Sequence, residues 1–404
     1  MPDNAIITAS GNFTTTTYSG IQLHMKIRNS SMVQTINWLS QKLPLPARKL
    51  AFTASVAATL IFSGTPSYAQ DVFKIGYIYP SPAGDVGWAH ELDRGRQAIE
   101  EKFGDKVESI VVENIPEGPD AARIMNQMAA QGVNMMMLGS FGYMNDGLKT
   151  AQRYQDIDFI HASGYKLLDN LGNFQTRNYE GAYIAGMGAG YVTQSNTIGM
   201  VAAYAIPEVV GLINAFTMGA QSVNSDVSVK VVWLNSWFDP SKAQESARSL
   251  IAQQSDVIFS IYQDTPSVVT VAEEEGVYVV NTSSDMKSYA PEQLLVSIQI
   301  SWADYFIEQV QASMDDTFEG SAFWGGMADN AVSVESWSDN LSDEQRKALD
   351  AKVAEISAGA FHPFQGPVVD QAGEVKIAEG DTLADADLLA INWLVKGVET
   401  QLPK

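Results

Sequence analysis

From Phe73 to Val280 short β-branched and aromatic runs alternate with helical stretches, and that alternation leaves few folds open. Phe73–Tyr79, Val107–Glu113, Asn134–Leu138 and Ile157–His161 read as strands, with helices at Trp88–Phe103, Pro119–Gln131 and Asp146–Tyr154. The order resumes with strands at Thr197–Ala203, Val227–Leu234, Val257–Tyr262 and Val277–Val280. Helices at Pro207–Val223, Pro240–Gln254 and Ser267–Glu275 separate them. Strands and helices in this order build parallel sheets through right-handed crossovers. Two such runs, divided near Gln175–Glu180, predict an α/β fold of two doubly wound parallel-sheet lobes joined by a hinge. Asp343–Ile356 reads as a helix, and Phe364–Pro367 with Gln371–Gly373 as a turn-rich hairpin wrapping the lobes.

Upstream, Arg48 and Lys49 lead into an apolar run, Leu50–Phe62, too short to span a bilayer. Ser67 and Ala69 then supply the small residues of a cleavage site, so the chain is expected to be exported and cut after Ala69. Met25 and Met32 are alternative starts. Setting aside residues 1–69 of the 404 leaves 335, enough for two lobes. The segment set aside holds five basic residues and one acidic, so the remainder carries a net charge near −26. Phosphates would be repelled, which argues against nucleic acid as a partner. The absence of cysteine excludes disulfides, thiolate metal sites, cysteine nucleophiles and a lipid-modified N-terminal cysteine.

In doubly wound sheets ligands bind where the strand-to-helix loops gather, at the carboxyl ends of the strands. Those loops are Tyr79–Trp88, Gly139–Asn145, Ala202–Pro207, Asn235–Pro240, Gln263–Ser267 and Asn281–Met286. They are rich in aromatics (Trp88, Phe141, Tyr143, Tyr204, Trp237 and Phe238) and hold the carboxylates of Asp85, Glu208, Asp239, Asp264 and Asp285. Aromatic faces bury a flat ring at low entropic cost, and carboxylates accept hydrogen bonds from ring N–H or amino groups. The pattern predicts a site for a planar, nitrogen-rich small molecule.

Structural roles compete for several of these residues. Asp85 reads equally as a turn or cap residue before its helix, and Asp264 as a cap before Thr265-Pro266. Asp239 followed by Pro240 is an N-cap with proline at the first helical position. Glu208 falls where the helix dipole favours a carboxylate in any case.

Enzyme signatures are missing. The four histidines (His24, His90, His161 and His362) have no metal-ligand spacing, and there is neither a nucleophile elbow nor a phosphate loop. Gly186, Gly188 and Gly190 lie inside a helical stretch, where small residues permit close helix packing.

Over the whole chain after residue 70, an ordered set of segments resembles the basic membrane protein (BMP) family of ABC-importer substrate-binding proteins. The carrying segments are Gly84–Arg96, Phe159–Lys166, Tyr183–Gly190, Ile206–Phe216, Val231–Pro240, Ser284–Met286 and Phe364–Pro367. The resemblance implies a periplasmic binding fold of type I-like architecture that closes on a purine-like ligand without catalysis or cofactor. It further implies an aromatic sandwich of the base by Trp88, with Asp85 ahead of it, and Trp237. The family's Asn after the first-loop aromatic is here Ala89. Its ribose-contacting Asp falls near Ser283, and a family Lys near Ile300. Those losses favour a nucleobase such as adenine over a nucleoside.

The expected ligand-binding residues are Asp85, Trp88, Ser140, Phe141, Tyr143, Glu208, Trp237, Asp264, Ser283 and Asp285. Of these, Ser140, Glu208 and Asp264 are chosen from loop position, to meet the ring's polar edge. The expected divisions are residues 70–176 for lobe 1 with a return near 300–330, 177–297 for lobe 2, and 331–404 for the wrapping segment. The expected protein is a periplasmic monomer that delivers its ligand to an inner-membrane ABC permease. A sensor module of the same fold and an exported hydrolase are the alternatives.

Overall fold

The computed structural model describes residues 72–403. The charged segment, apolar run and cleavage site at residues 48–69 lie outside the described residues. Two six-stranded sheets carry the chain. The first is built from β1 (Phe73–Ile78), β2 (Val107–Val112), β3 (Met135–Leu138), β4 (Asp158–Ala162), β5 (Leu171–Thr176) and β11 (Ala322–Gly325), in the order β11-β5-β4-β3-β1-β2. Every pairing in it is parallel. Its helices are α1 (Trp88–Phe103), α2 (Pro119–Ala130), α3 (Met144–Arg153) and α8 (Ala303–Met314).

The second sheet holds β6 (Thr197–Ala202), β7 (Ser228–Trp233), β8 (Val257–Ile261), β9 (Tyr278–Ser283), β10 (Leu294–Ile300) and β12 (Val332–Glu335), in the order β12-β10-β9-β8-β6-β7. Only the β10–β12 pairing in it is antiparallel. The accompanying helices are α4 (Asn178–Val192), α5 (Pro207–Val223), α6 (Pro240–Ala252), α7 (Ser267–Glu275) and α9 (Asp343–Ser357). The chain passes between the sheets three times, after β5, β10 and β11.

Local chemistry accounts for the helix starts. Pro119 and Pro207 open α2 and α5, where a missing N–H costs nothing. Asp239 caps α6 by accepting from the Lys242 N–H at 3.0 Å. Ser342 and Gln345 form a reciprocal capping box at α9. The expected close packing at the glycines of α4 is found against α5. A Cβ on Gly186 would lie 2.1 Å from the Phe216 carbonyl oxygen, and one on Gly219 1.9 Å from that of Tyr183.

Several elements differ from the sequence reading. β5 (LGNFQT) was not expected as a strand because Gly172, Asn173 and Gln175 interrupt the apolar pattern of Leu171 and Phe174. It lies fully buried between β4 and β11, so tertiary pairing overrides propensity. β9 runs on to Ser283, which turns Asn281–Ser283 from loop into buried strand. In the tail, Phe364, Val368, Ile377, Leu394 and Val398 join the core of the second sheet. Val398 bridges to Val229 at the edge strand β7, and the Asn214 amide bonds to the backbone of Trp393 and Val395. β13 (Val368–Val369), β14 (Val375–Ile377) and the short α10 (Asp385–Leu388) complete the tail.

Candidate functional site

The carboxyl ends of both sheets face one cleft, and two carboxylates of the second lobe, Asp264 and Glu208, bond across it to the first. Asp264 follows β8 in the second lobe, yet its partners belong to the first. It accepts from the Trp88 N–H at 2.5 Å, from the Ser81 hydroxyl and from the Ala89 N–H. It therefore caps α1 rather than α7, which has no side-chain cap. Gly87 makes the approach possible. Its φ of 97° suits glycine, and a Cβ there would sit 2.6 Å from Asp264 Oδ1. The Gly87 N–H donates to Ser284 Oγ at 2.8 Å, adding a second cross-lobe bond at the same helix end. Burial raises the Asp264 carboxyl to about 6, against the pull of the Ser81 hydroxyl and the two backbone N–H groups.

Glu208, in the first turn of α5, accepts from Ser163 Oγ at 2.6 Å and from the Tyr262 hydroxyl at 2.5 Å. Asn178 Nδ2 in turn donates to the Tyr262 hydroxyl. Burial raises the Glu208 pKa, and the two hydroxyl donors oppose it. Both donors hold positive φ, 56° at Ser163 and 52° at Tyr262. Such conformations cost residues with a Cβ about 1–3 kcal/mol each and persist only where the surroundings impose them.

The aromatic walls are fixed from behind. Trp88 Nε1 donates to the Gly139 carbonyl at 2.9 Å, and its ring packs edge-on to Tyr262 (5.3 Å, 84°) and Trp302 (4.7 Å, 75°). Trp237 packs on Tyr204 at 4.8 Å and donates from Nε1 to Glu117 Oε1 at 3.2 Å. The same Glu117 oxygen accepts from Ser140 Oγ at 2.5 Å and from the Gly142 N–H at 3.0 Å, tying the loops of the two lobes together. His161 bonds through Nε2 to the Ser140 carbonyl at 2.7 Å. Burial lowers its pKa to about 4, so it is neutral at physiological pH and acts as a fixed strut.

A narrow cavity results, lined by Pro80, Trp88, Ser140, Phe141, Ser163, Ile206, Glu208, Trp237, Tyr262 and Asp264. The structure thus brings together six of the ten expected residues: Trp88, Ser140, Phe141, Glu208, Trp237 and Asp264. It places the other four elsewhere. Asp85 is exposed and accepts from the Tyr289 hydroxyl at 2.5 Å, a cross-lobe contact outside the cavity. Tyr143 is fully buried and donates to the Ile115 carbonyl at 2.5 Å. Ser283 is buried at the end of β9, and Asp285 accepts from Ser336 Oγ at 2.7 Å and the Lys287 N–H at 2.9 Å. Sequence reasoning passed over Pro80, Ser163, Ile206 and Tyr262. Ser163 and Tyr262 immediately follow β4 and β8, so the carboxyl-end rule was the signal that could have found them.

No lining residue is cationic, and no cluster of three or more potential metal ligands occurs among the described residues. The cavity offers flat apolar walls with hydroxyl and carboxyl groups at its edges, an arrangement for holding a ring and meeting its donors.

Comparison with known proteins finds relatives along most of the chain. A "Purine-binding protein" of Brucella abortus is 36% identical over 351 residues, covering 87% of this chain and 99% of the relative. A protein of Haloferax volcanii, whose name assigns it glucose binding in an ABC transporter, is 34% identical over 340 residues, covering 84% and 83%. Among solved structures, an ABC transporter solute-binding protein from Aeropyrum pernix K1 matches with a TM-score of 0.63 at 14% identity, covering 72% of this chain and 92% of that one. That likeness shows the two-lobed type I-like binding fold. Residues 72–360 match the model of one family, and the chain accordingly belongs to the Bmp family of PnrA-like ABC transporter substrate-binding proteins.

Proposed function

We propose that this protein captures an uncharged purine-like heterocycle, adenine or a related nucleobase in preference to a nucleoside, between its lobes. Proteins of its family bind small molecules and deliver them to a membrane permease. The single observation that carries the ligand class is the cavity itself, where Trp88 from one lobe and Trp237 from the other line one narrow space rimmed by Glu208 and Asp264. The aromatic faces suit a flat ring, and the acceptors suit its N–H and amino groups.

The Brucella relative's name supports a purine, whereas the Haloferax relative's name points to glucose. The cavity favours the purine. The faces of Trp88, Phe141 and Trp237 suit a flat aromatic ring better than a puckered, hydroxylated one, and each carboxyl oxygen of Glu208 and Asp264, though it already accepts one bond, keeps a lone pair for a ring N–H. The preference for a base over a nucleoside rests on two positions: Ser283 is buried outside the cavity, and Ile300 is apolar. The ligand is handed on unchanged, and the sequence at Arg48–Ala69 supports export to the periplasm.

Thermal-shift and calorimetric titration of the exported protein with adenine, adenosine and glucose tests the reading. Adenine should raise the melting temperature most, adenosine less, and glucose not at all. Chromatography should recover the adenine intact. A shift with glucose alone, or with no purine, would refute it.

A further inference from the structure

Behind Glu208 lies a second small cavity of about 20 Å³, room for about one water. Its walls include Thr176 at the end of β5, Asn178 at the start of α4, Trp324 in β11, and Glu208. Thr176 and Asn178 are each only 1% exposed. Three of its lining residues carry a buried side-chain atom with no hydrogen-bond partner among the described residues: Thr176 Oγ1, Asn178 Oδ1 and Trp324 Nε1. Each such orphan costs about 1–3 kcal/mol if left unmatched. Together they offer a donor (the indole N–H), an acceptor (the amide oxygen) and a hydroxyl able to act as either. That set matches a buried water, which makes about three hydrogen bonds. It does not match a cation, because the indole N–H is a donor only and would be repelled by one.

We infer that this hinge chamber is a built site for ordered water bridging Thr176, Asn178 and Trp324. Thr176 and Trp324 belong to the first sheet, and Asn178 opens the first helix of the second lobe, so the water spans a crossing of the chain between lobes. Its bond to Asn178 Oδ1 fixes which way the amide faces. Asn178 Nδ2 then points at the Tyr262 hydroxyl, whose proton is directed at Glu208 in the ligand cleft. Arg177 holds the Trp324 side of the chamber, its guanidinium 4.2 Å from the indole centroid and its Nε bonded to the Trp324 carbonyl at 3.2 Å. Thr176, Asn178 and Trp324 are thus positioning residues for Glu208, acting through water. The water site stands apart from the assignment of the ligand, whereas its coupling to Glu208 rests on that reading.

A high-resolution crystal structure of the protein tests the site directly. Water density within hydrogen-bond distance of all three atoms is expected; an unfilled chamber, or direct pairing of the three atoms with one another, would overturn it. The coupling is tested by Thr176→Val, which keeps shape and removes the hydroxyl, with Trp324→Phe as a second route if that variant does not fold. Either change should abolish the water peak and weaken adenine binding about fivefold, the equivalent of one hydrogen bond. A retained water, or its loss with unchanged affinity, would overturn the coupling. Should adenine fail to bind the unaltered protein, the density still decides whether the site exists, so the two readings fail separately.

Discussion

Asp264 in the second lobe accepts a 2.5 Å hydrogen bond from the backbone N–H of Trp88 in the first, so the cap of α1 is supplied by the opposite lobe. The helix end carries a partial positive charge that favours the carboxylate. Opening the cleft therefore strips α1 of its cap, and closing restores it. This couples lobe closure to the position of the tryptophan that lines the cavity. Asp264→Asn preserves an acceptor for the Trp88 N–H and should bind ligand within about threefold of the unaltered protein. Asp264→Ala leaves that N–H, the Ala89 N–H and the Ser81 hydroxyl unmatched in the closed form, at about 1–3 kcal/mol per group, and affinity should fall about 100-fold or more. Calorimetry on the pair checks this, and equal affinities would remove the capping argument.

The same carboxyl gives closure a pH dependence whose sign follows from burial. In the closed form burial raises Asp264 to about 6, from the ordinary carboxyl value of 3.8 that solvation in an open form would restore. A raised acid pKa means the closed form holds the proton more readily. Closure is therefore weakest above about pH 6 and strengthens as pH falls through the window toward 3.8. Between pH 7 and pH 5 the gain is about tenfold in the closing equilibrium. The groups facing Asp264 are the Ser81 hydroxyl and the backbone N–H groups of Trp88 and Ala89. Glu208, also raised by burial, acts in the same direction. His161, lowered to about 4, acts oppositely on global stability, because the unfolded chain protonates it first as pH falls. The informative quantity is thus the difference between the unaltered protein and Asp264→Asn. Ligand affinity should rise toward pH 5 in the former relative to the latter, and parallel pH profiles would contradict the assignment.

The two cavity tryptophans should respond differently. Trp237 sits at a partly exposed wall, so Trp237→Ala should lower affinity about tenfold or more with little change in melting temperature. Trp88 also packs on Trp302 and Tyr262, so Trp88→Ala should lower both affinity and melting temperature. Titration and thermal melts of both variants separate the effects. Unchanged affinity in either would count against a ring held at both indoles.

The fold was readable because its signal is repetitive: buried strands such as Met135–Leu138 alternate with helices whose starts carry Pro119, Pro207 or Asp239. The carboxyl-end rule then led to the right loops, and Trp88, Trp237, Glu208 and Asp264 all line one cavity. What sequence did not reveal is pairing across lobes. Nothing local tells that Asp264 caps a helix some 180 residues away rather than the one it precedes, since both roles use the same side chain and the same N–H chemistry. Asp85 failed for the mirror reason: it sits beside the right helix, but Gly87 at φ 97° turns the chain so that the side chain meets Tyr289 outside the cavity. Ser163 and Tyr262 were hidden because residues with a Cβ do not advertise a left-handed conformation as glycine does.

The helix pair that supports the second lobe offers a test of packing independent of any ligand. α4 is buried along nearly its whole length, so it has no solvent face onto which an added atom could be displaced. At Gly186 a methyl group would lie 2.1 Å from the Phe216 carbonyl oxygen, and at Gly219 it would lie 1.9 Å from that of Tyr183. Both obstructing atoms are backbone, and only a shift of α4 against α5 relieves the overlap. Alanine normally stabilises a helix over glycine by about 1 kcal/mol, so propensity alone predicts a rise in melting temperature. Overpacking in a dense core costs about 1–3 kcal/mol and acts in the opposite direction. Gly186→Ala and Gly219→Ala should therefore each lower the melting temperature despite the better helix former. Gly359→Ala, at an exposed position with φ 67° and open space around it, is destabilised by backbone strain alone and serves as the comparison. A melting temperature that rises in the Gly186 variant would show that the helices separate freely, and the close contact would then carry no energetic weight.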